Sequence, residues 1–320
     1  MSDKIAILMA TYNGEKYLRE QMNSLLSQSY QNWVCYIHDD GSTDSTVDVI
    51  REYCDTYNGK FILADYPKQG GAKKNFLSLL NFHNSKYDEY YIMFSDQDDV
   101  WLPNKVEVTH QRMVELEDKT QDKPCLVFTD LRVVDKSLGT ISESFMQYSK
   151  HNPDKLTVRN MFVGNPAPGC TMMINRKLEN FAVKYTDARR IEMHDWWCMA
   201  IAATFGEIAY LNEPTIMYRQ HGDNTLGAIE RTSLAHYVGV LKEVFSGRRF
   251  GETKGRIEAK RLLAKEMAES FQGVDGSEDF IFVNELAQIE EKNKLKRICF
   301  YKKNHLYNSL QHGMWIMMCC

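Results

Sequence analysis

The stretch Tyr90-Tyr91-Ile92-Met93-Phe94-Ser95-Asp96-Gln97-Asp98-Asp99-Val100-Trp101-Leu102-Pro103 decides how this chain is read. Tyr90 to Phe94 is a continuous apolar run, the pattern of a strand buried on both faces. It ends on three carboxylates, Asp96, Asp98 and Asp99. Like charges this close raise one another's pKa, and at the end of a buried strand they are costly without a partner. A hard divalent cation is the usual compensation, because it takes oxygen ligands and bridges to phosphates. The competing reading is that some of these acids cap a helix expected to begin near Pro103. The cation reading requires phosphate-binding elements elsewhere.

Upstream, strand and helix patterns alternate. Ile5 to Ala10 reads as a buried strand ending in Thr11-Tyr12-Asn13-Gly14, and Leu18, Met22, Leu25 and Leu26 follow at helical spacing. Val34 to Ile37 is a second strand, ending in His38-Asp39-Asp40-Gly41-Ser42-Thr43-Asp44. Ser42 or Thr43 is expected to cap the next helix, which carries Val47, Ile50 and Cys54. Phe61 to Ala64 is a third strand, and Gly70-Gly71-Ala72-Lys73-Lys74-Asn75 leads into a helix with Phe76, Leu79 and Leu80. This alternation predicts an α/β fold, a mostly parallel sheet with helices on both faces. Ligands bind such sheets at the carboxyl ends of the strands. Three strand ends here carry Tyr12/Asn13, Asp39/Asp40 and the three aspartates. Neither a Gly-x-Gly-x-x-Gly after the first strand nor a Gly-Lys-Ser/Thr phosphate loop is present.

Downstream, Val106, His110, Met113 and Val114 continue at helical spacing, and Cys125 to Thr129 is another strand. Asn165-Pro166-Ala167-Pro168-Gly169 is a stiff turn before a strand over Cys170 to Ile174, and a candidate acceptor shelf. Met193-His194-Asp195-Trp196-Trp197 opens a helix. Two short strands, Glu207 to Leu211 and Thr215 to Tyr218, precede Arg219-Gln220-His221-Gly222-Asp223-Asn224. After about Leu226 the strand patterns vanish, and helices are expected over 232–245 and 256–271. The expected division is 1–225 and a helical C-terminal region, 226–320.

The chain has 320 residues, 43% hydrophobic and 26% charged, as in an ordinary globular protein. A net charge of −4 argues against a general nucleic-acid binder. From Leu226 onward there are 15 Lys/Arg against 12 Asp/Glu, and before it 24 against 31, so the proposed cation site lies in the acidic part. The eight cysteines form no Cys-x-x-Cys pair, and reduced thiols are expected. A lipidated Cys319-Cys320 is the less favoured alternative. No apolar run approaches the roughly 20 residues of a membrane span, and no signal peptide opens the sequence. A cytoplasmic protein is expected, with peripheral contact at the inner membrane face as an option. That option rests on Lys292 to Lys303, which holds six Lys/Arg and no acid. A solvated helix face or a homodimer contact is the alternative.

Together, Thr11-Tyr12-Asn13-Gly14, Asp39-Asp40-Gly41-Ser42-Thr43-Asp44, Asp96-Gln97-Asp98-Asp99 and Pro103 resemble the family 2 glycosyltransferases of GT-A fold, over roughly residues 3–225. Asn75-Phe76, Ser95 to Trp101, Gly169-Cys170-Thr171, His194-Asp195-Trp196 and Tyr218-Arg219-Gln220-His221, with Asn224 and Leu226-Gly227, are similar to the bacterial rhamnosyltransferase-like branch, which builds surface and cell-wall polysaccharides. The resemblance implies inverting transfer of a sugar from a nucleoside diphosphate donor to a saccharide or lipid-linked saccharide acceptor, with Mn²⁺ or Mg²⁺ as cofactor. It makes Asp195 the catalytic base, with a helix cap as the plain alternative. Asp98 and His221 would hold the metal. Asp96 would face the ribose or complete the metal's water shell, and Asp99 would cap a helix or order the site. Thr11, Tyr12, Asn13, Asp40, Lys73 and Asp96 would bind the nucleotide, Tyr12 by stacking on the base. Gly169, Trp196, Trp197 and Arg219 would line the sugar or acceptor site. The branch points to dTDP-rhamnose, with UDP-glucose or UDP-galactose as alternatives.

Three rival readings fit less of the chain. A nucleotidyltransferase needs a Gly-rich basic loop after the first strand, which Thr11 to Gly14 does not supply. A phosphatase with an aspartyl nucleophile matches Asp96 to Val100 only in part. A catalytically silent sugar-nucleotide-binding protein would have no need of Asp98, Asp195 and His221 together.

Overall fold

Strand β1 (Ile5–Thr11) is almost wholly buried and sends its side chains alternately to two cores. Ile5, Ile7 and Met9 enter one, Ala6 and Leu8 the other. That period-two division is what a strand covered on both faces requires. The structure, a computed structural model, describes residues 4–221, 248–274 and 276–307, with only the backbone of 248–252. Asp223-Asn224, Leu226-Gly227, the helix expected over 232–245 and Cys319-Cys320 lie outside the described residues.

After β1 come α1 (Glu15–Leu26), β2 (Trp33–Asp39), α2 (Thr46–Thr56), β3 (Phe61–Leu63), α3 (Ala72–Lys86) and β4 (Tyr91–Ser95). These strands pair in parallel in the order β3-β2-β1-β4. The chain thus steps outward from β1 to β3 and returns to the other side of β1. Right-handed crossovers put helices made on opposite legs onto opposite faces. Leu18, Met22 and Leu25 of α1 and Val49, Ile50 and Tyr53 of α2 accordingly share one core, while Phe76, Leu77, Leu79 and Leu80 of α3 lie in the other. The reversal leaves a crevice at the carboxyl ends of β1 and β4, where open α/β sheets bind ligands.

Beyond β4 the sheet is mixed. β5 (Val100–Trp101), α4 (Lys105–Thr120), β6 (Cys125–Asp135), β7 (Thr140–Ser142), α5 (Phe145–Tyr148), α6 (Val158–Met161), β8 (Met172–Asn175), α7 (Arg176–Ala182), α8 (His194–Phe205) and β9 (Glu207–Gln220) follow. The sheet continues β4-β8-β6-β9-β5, with β8 antiparallel to both neighbours, β6 and β9 parallel, and β7 against β6. The two short strands expected over 207–218 are one strand. Its register against β6 shifts between Thr129 and Asp130, where Leu211 and then Pro214 are the partners, so the proline sits in a bulge. β8 begins at Met172 because Gly169–Thr171 is a 3-10 turn. Neither Ser42 nor Thr43 caps α2. The helix starts at Thr46, whose N–H donates to Asp44 Oδ1 at 3.0 Å.

The C-terminal region, expected as an addition to the sheet domain, completes one of its cores. Helices α9 (Arg248–Ser270), α10 (Glu278–Ala287) and α11 (Lys294–Lys303) contribute Leu263, Met267, Phe280, Val283, Leu286, Phe300 and Tyr301 to the core containing Trp197, joined by Phe271 just after α9. Phe271 stacks on Trp197 with centroids 6.0 Å apart. A polar tie reinforces this. The buried Glu266 carboxylate accepts from the N–H groups of Thr186 and Asp187, the hydroxyls of Thr186 and Ser270, and the Arg190 guanidinium. Removing it strands two backbone donors and leaves a cavity, so Glu266→Ala is expected to lower unfolding free energy by about 3 kcal/mol. Urea unfolding should show this as a lower midpoint at unchanged slope.

Candidate active site

β4 delivers its carboxylates to the crevice. Asp99 is fully buried, and its Oδ1 accepts the N–H of Arg219 on β9 at 3.1 Å. It does not cap α4, whose N-cap is Asn104. Its Oδ2 has no hydrogen-bond partner among the described residues. Burial, followed by the charges of Asp98 and Asp96, pushes the Asp99 carboxyl well above the usual range. Asp96 is raised by burial and then by Asp98 and Asp195. Asp98, partly exposed, meets His221 through Oδ2 and Nε2 at 2.7 Å.

Arg219 holds this turn from behind. Its Nε donates to the Asp98 carbonyl at 2.8 Å, its other nitrogens to the Lys136 carbonyl and Glu20, and its guanidinium lies 4.4 Å from the Tyr17 ring centre. Expected at the acceptor, Arg219 is instead 1% exposed and committed to internal partners, so it shapes the acid turn from inside. Lys105, at the start of α4, is also fully buried with its Nζ 4.6 Å from the Trp101 ring centre. Burial pushes it down to about 7.

Across the crevice, the β1 and β2 ends interlock. Thr11 Oγ1 donates to Asp39 Oδ2, the Asn13 N–H to Ser42 Oγ, and the Thr43 N–H to Asn13 Oδ1. Thr11 and Asn13, both expected at the nucleotide, thus order the loops. Tyr12 projects between them, 56% exposed. Its backbone is clasped by one amide, with Gln97 Nε2 donating to the Tyr12 carbonyl and the Tyr12 N–H donating to Gln97 Oε1, both at 2.9 Å. Gly14 makes room for this, because a Cβ there would lie 2.2 Å from Gln97 Oε1. The Asp40 carboxylate accepts the N–H groups of Gln69, Gly70 and Gly71, which lower its pKa against the effect of burial. Lys73, in the first turn of α3, donates to the Ile191 carbonyl at 2.7 Å.

Asp195 stands in the first turn of α8. Its Oδ2 accepts the Gly169 N–H at 3.1 Å and its Oδ1 the Trp196 N–H at 2.5 Å. Burial pushes its carboxyl up to about 6, against these two bonds and one from Asn165. The loop expected as an acceptor shelf therefore also holds the carboxylate. His194 lies under that loop, stacked 4.0 Å from Phe76, and burial pushes it down to about 3, so it stays neutral. A Cβ on Gly169 would come within 2.5 Å of His194 Nε2. Trp196 is half-buried, its indole N–H donating to the Met161 carbonyl. Trp197, expected at the acceptor, is fully buried and donates to the Ala182 carbonyl, so it presents no face to a ligand.

The donor set suits a hard cation. Ligand atoms of Asp96, Asp99 and Cys170 lie within 4.8 Å of one another. Burial, with Asp99 and Asp96, raises the Cys170 thiol well above its usual value, so it is not a thiolate for a soft metal. What remains is carboxylate oxygen with one imidazole nearby, together with a buried carboxylate oxygen lacking a partner. That set fits Mn²⁺ or Mg²⁺. Sequence reasoning missed Lys105 and Cys170, whose approach to the acids depends on chain-distant packing. The role of Gln97 had a signal in the Asp-Gln-Asp-Asp run and in Gly14.

Comparison with known proteins agrees with this geometry. The family model of Glycosyl transferase family 2 matches residues 6–175. The dTDP-rhamnosyl transferase RfbG of Shigella flexneri is 32% identical over 228 residues, 69% of this chain and 74% of that protein. The UDP-Glc:alpha-D-GlcNAc-diphosphoundecaprenol beta-1,3-glucosyltransferase WfgD of Escherichia coli is 26% identical over 177 residues, 55% of this chain and 62% of that protein. In fold, the crystal structure of S. aureus TarS 1-349 in complex with UDP-GlcNAc matches with a TM-score of 0.54 at 16% identity, covering 94% of this chain and 80% of that one. The strand-end loops, the acid turn and the family match over half the chain lead to one assignment: the chain belongs to glycosyl transferase family 2, enzymes that transfer a sugar from a nucleotide-sugar donor.

Proposed function

We propose that this enzyme moves rhamnose from dTDP-rhamnose to a hydroxyl of a saccharide or polyprenyl-diphosphate-linked saccharide, with inversion, in the synthesis of a surface polysaccharide. The observation that carries the chemistry is Asp195, a carboxylate raised to about 6 and close enough to Asp96 to influence its charge. A base in that range is ionised at neutral pH yet still basic enough to take a proton. The rhamnosyl donor is supported by the similarity to RfbG, and the name of WfgD supports the second reading, a UDP-hexose donor.

In this reading the exposed Tyr12 ring stacks on the base. Asp40 acts by holding the Gln69–Gly71 backbone at the edge of the base pocket. Asp98, Asp96 and His221 are the residues that would hold Mn²⁺ or Mg²⁺, which when bound neutralises the diphosphate as it leaves. Asp195 accepts the acceptor hydroxyl's proton, and the bonds from Gly169 and Trp196 fix its orientation toward the crevice. Lys294, Lys296, Lys302 and Lys303 of α11 are exposed beside Leu295, itself 75% exposed, which supports contact with an anionic membrane surface.

Asp195→Asn is expected to cut turnover by about 10²–10⁴-fold while calorimetric binding of the nucleoside diphosphate stays near normal. Wild-type turnover in the purified variant would overturn the base assignment. Because the pKa is raised, the active carboxylate is lost below it. Turnover should therefore fall about tenfold per pH unit beneath pH 6 and level off above. Asp98→Ala should abolish Mn²⁺-dependent binding of dTDP or UDP. Unchanged binding would refute the metal role of Asp98.

A further inference from the structure

Tyr12 is the first residue beyond β1, and its exposed ring meets no other aromatic ring or cation among the described residues. The main chain alone sets where that ring stands. Asn13, in the left-handed region at φ 48°, turns the chain directly after it. Both main-chain polar groups of Tyr12 go to one side chain, the Gln97 amide, through two bonds of 2.9 Å in opposite directions. An amide paired in this way extends the ladder bonding of β1 and β4 beyond its end, since those strands pair only as far as Met9 and Ser95.

Gly14 supplies an independent observation. A Cβ there would lie 2.2 Å from Gln97 Oε1 and 2.5 Å from its Cδ. Gly14 has φ −105°, which ordinary residues adopt, so the amide and not the backbone requires the glycine. Gln97 stands between Asp96 and Asp98, yet those acids do not depend on its bonds to Tyr12. Arg219 already holds the Asp98 carbonyl and Asp99, and His221 meets the Asp98 carboxylate. What the amide holds in place is Tyr12. A ring on a loop with no other support would have to be ordered by the ligand, at a cost in affinity.

We infer that Gln97 is a positioning residue for the donor's nucleobase: its amide holds the Tyr12 backbone at the place from which the ring can stack on the base while the diphosphate meets the acid turn. Gly14 is the space reserved for that amide. The inference rests on the reading that Tyr12 stacks on the base, and the test separates the two.

Calorimetry of the full chain with saturating Mg²⁺ compares dTDP with pyrophosphate, which carries the diphosphate and no base. In Gln97→Ala and in Gly14→Ala, dTDP is expected to bind about tenfold more weakly, and pyrophosphate as in the wild type. In the double variant Gly14→Ala should add nothing to Gln97→Ala, because the amide it displaces is already gone. Unchanged dTDP affinity in Gln97→Ala overturns the inference. Equal losses of dTDP and pyrophosphate also overturn it, by assigning Gln97 to the acid turn or to the fold. Additive losses in the double variant overturn the link to Gly14. Tyr12→Ala tests the underlying reading. If it binds dTDP like the wild type, the base platform fails and the inference with it; if it loses dTDP while Gln97→Ala does not, the platform stands and the role of Gln97 fails. Hydrogen exchange gives a readout without nucleotide. The Tyr12 N–H should exchange faster in Gln97→Ala at a Tm close to that of the wild type, and equal rates overturn the positioning role.

Discussion

Carboxylates repel most where solvent is scarcest, and β4 brings Asp96, Asp98 and Asp99 to one buried strand end facing Asp195. Most of the surrounding architecture limits that repulsion. Arg219 reaches along β9 to grip the Asp98 carbonyl, while its own N–H binds Asp99. His221, two residues on, meets the Asp98 carboxylate. Lys105 lies behind at the head of α4, its charge opposing that of Asp99. The ties to Arg219 act on the Asp98 backbone and on Asp99, and the Asp98 carboxylate is left to His221. Arg219 therefore matters by fixing the turn, and its burial is the condition for doing so. A lysine could not reproduce three separate donor directions.

The acid turn also fixes the aromatic platform. Gln97 stands between Asp96 and Asp98, and its amide pairs with the Tyr12 backbone as a neighbouring strand would. β1 and β4 pair in parallel as far as Met9 and Ser95, and the loops beyond those ends flank the point where strand order reverses. Gln97 links those two loops. The exposed Tyr12 ring and the acid turn are therefore held in a fixed relation by Gln97.

The parallel half of the fold was legible because each of its signals is local. Buried strands read as apolar runs, amphipathic helices as 3.6-residue spacing, and strand-end acids as polar residues where an apolar run stops. What was not legible depended on facing or on distant pairing. Val100-Trp101 is too short to announce a strand, and it exists only through Met217 and Ile216. Trp196 and Trp197 are adjacent, yet a helix turns about 100° per residue, so one stays half-buried and the other fills the core. Arg219 is expected at the sugar or acceptor, and only the fold reveals its internal partners. Glu207 to Leu211 and Thr215 to Tyr218 read as two strands in sequence, whereas the bulge at Pro214 carries one strand past the proline, because no ladder donor is required there.

The C-terminal helices alter how the enzyme is best divided. Sequence composition separates them from the sheet domain, since strand patterns cease and the charge balance changes sign. Packing joins them to it. Phe271 stacks on Trp197 within the helix whose first turn carries Asp195, and Glu266 binds the loop that leads into that helix. A displacement of α9 would reach the proposed base by two routes, through the aromatic core beneath α8 and through the Thr186–Ile191 connection before it. Through these ties α9 bears on the Asp195 side of the crevice, while the opposite side is held by the ends of β1, β2 and β4.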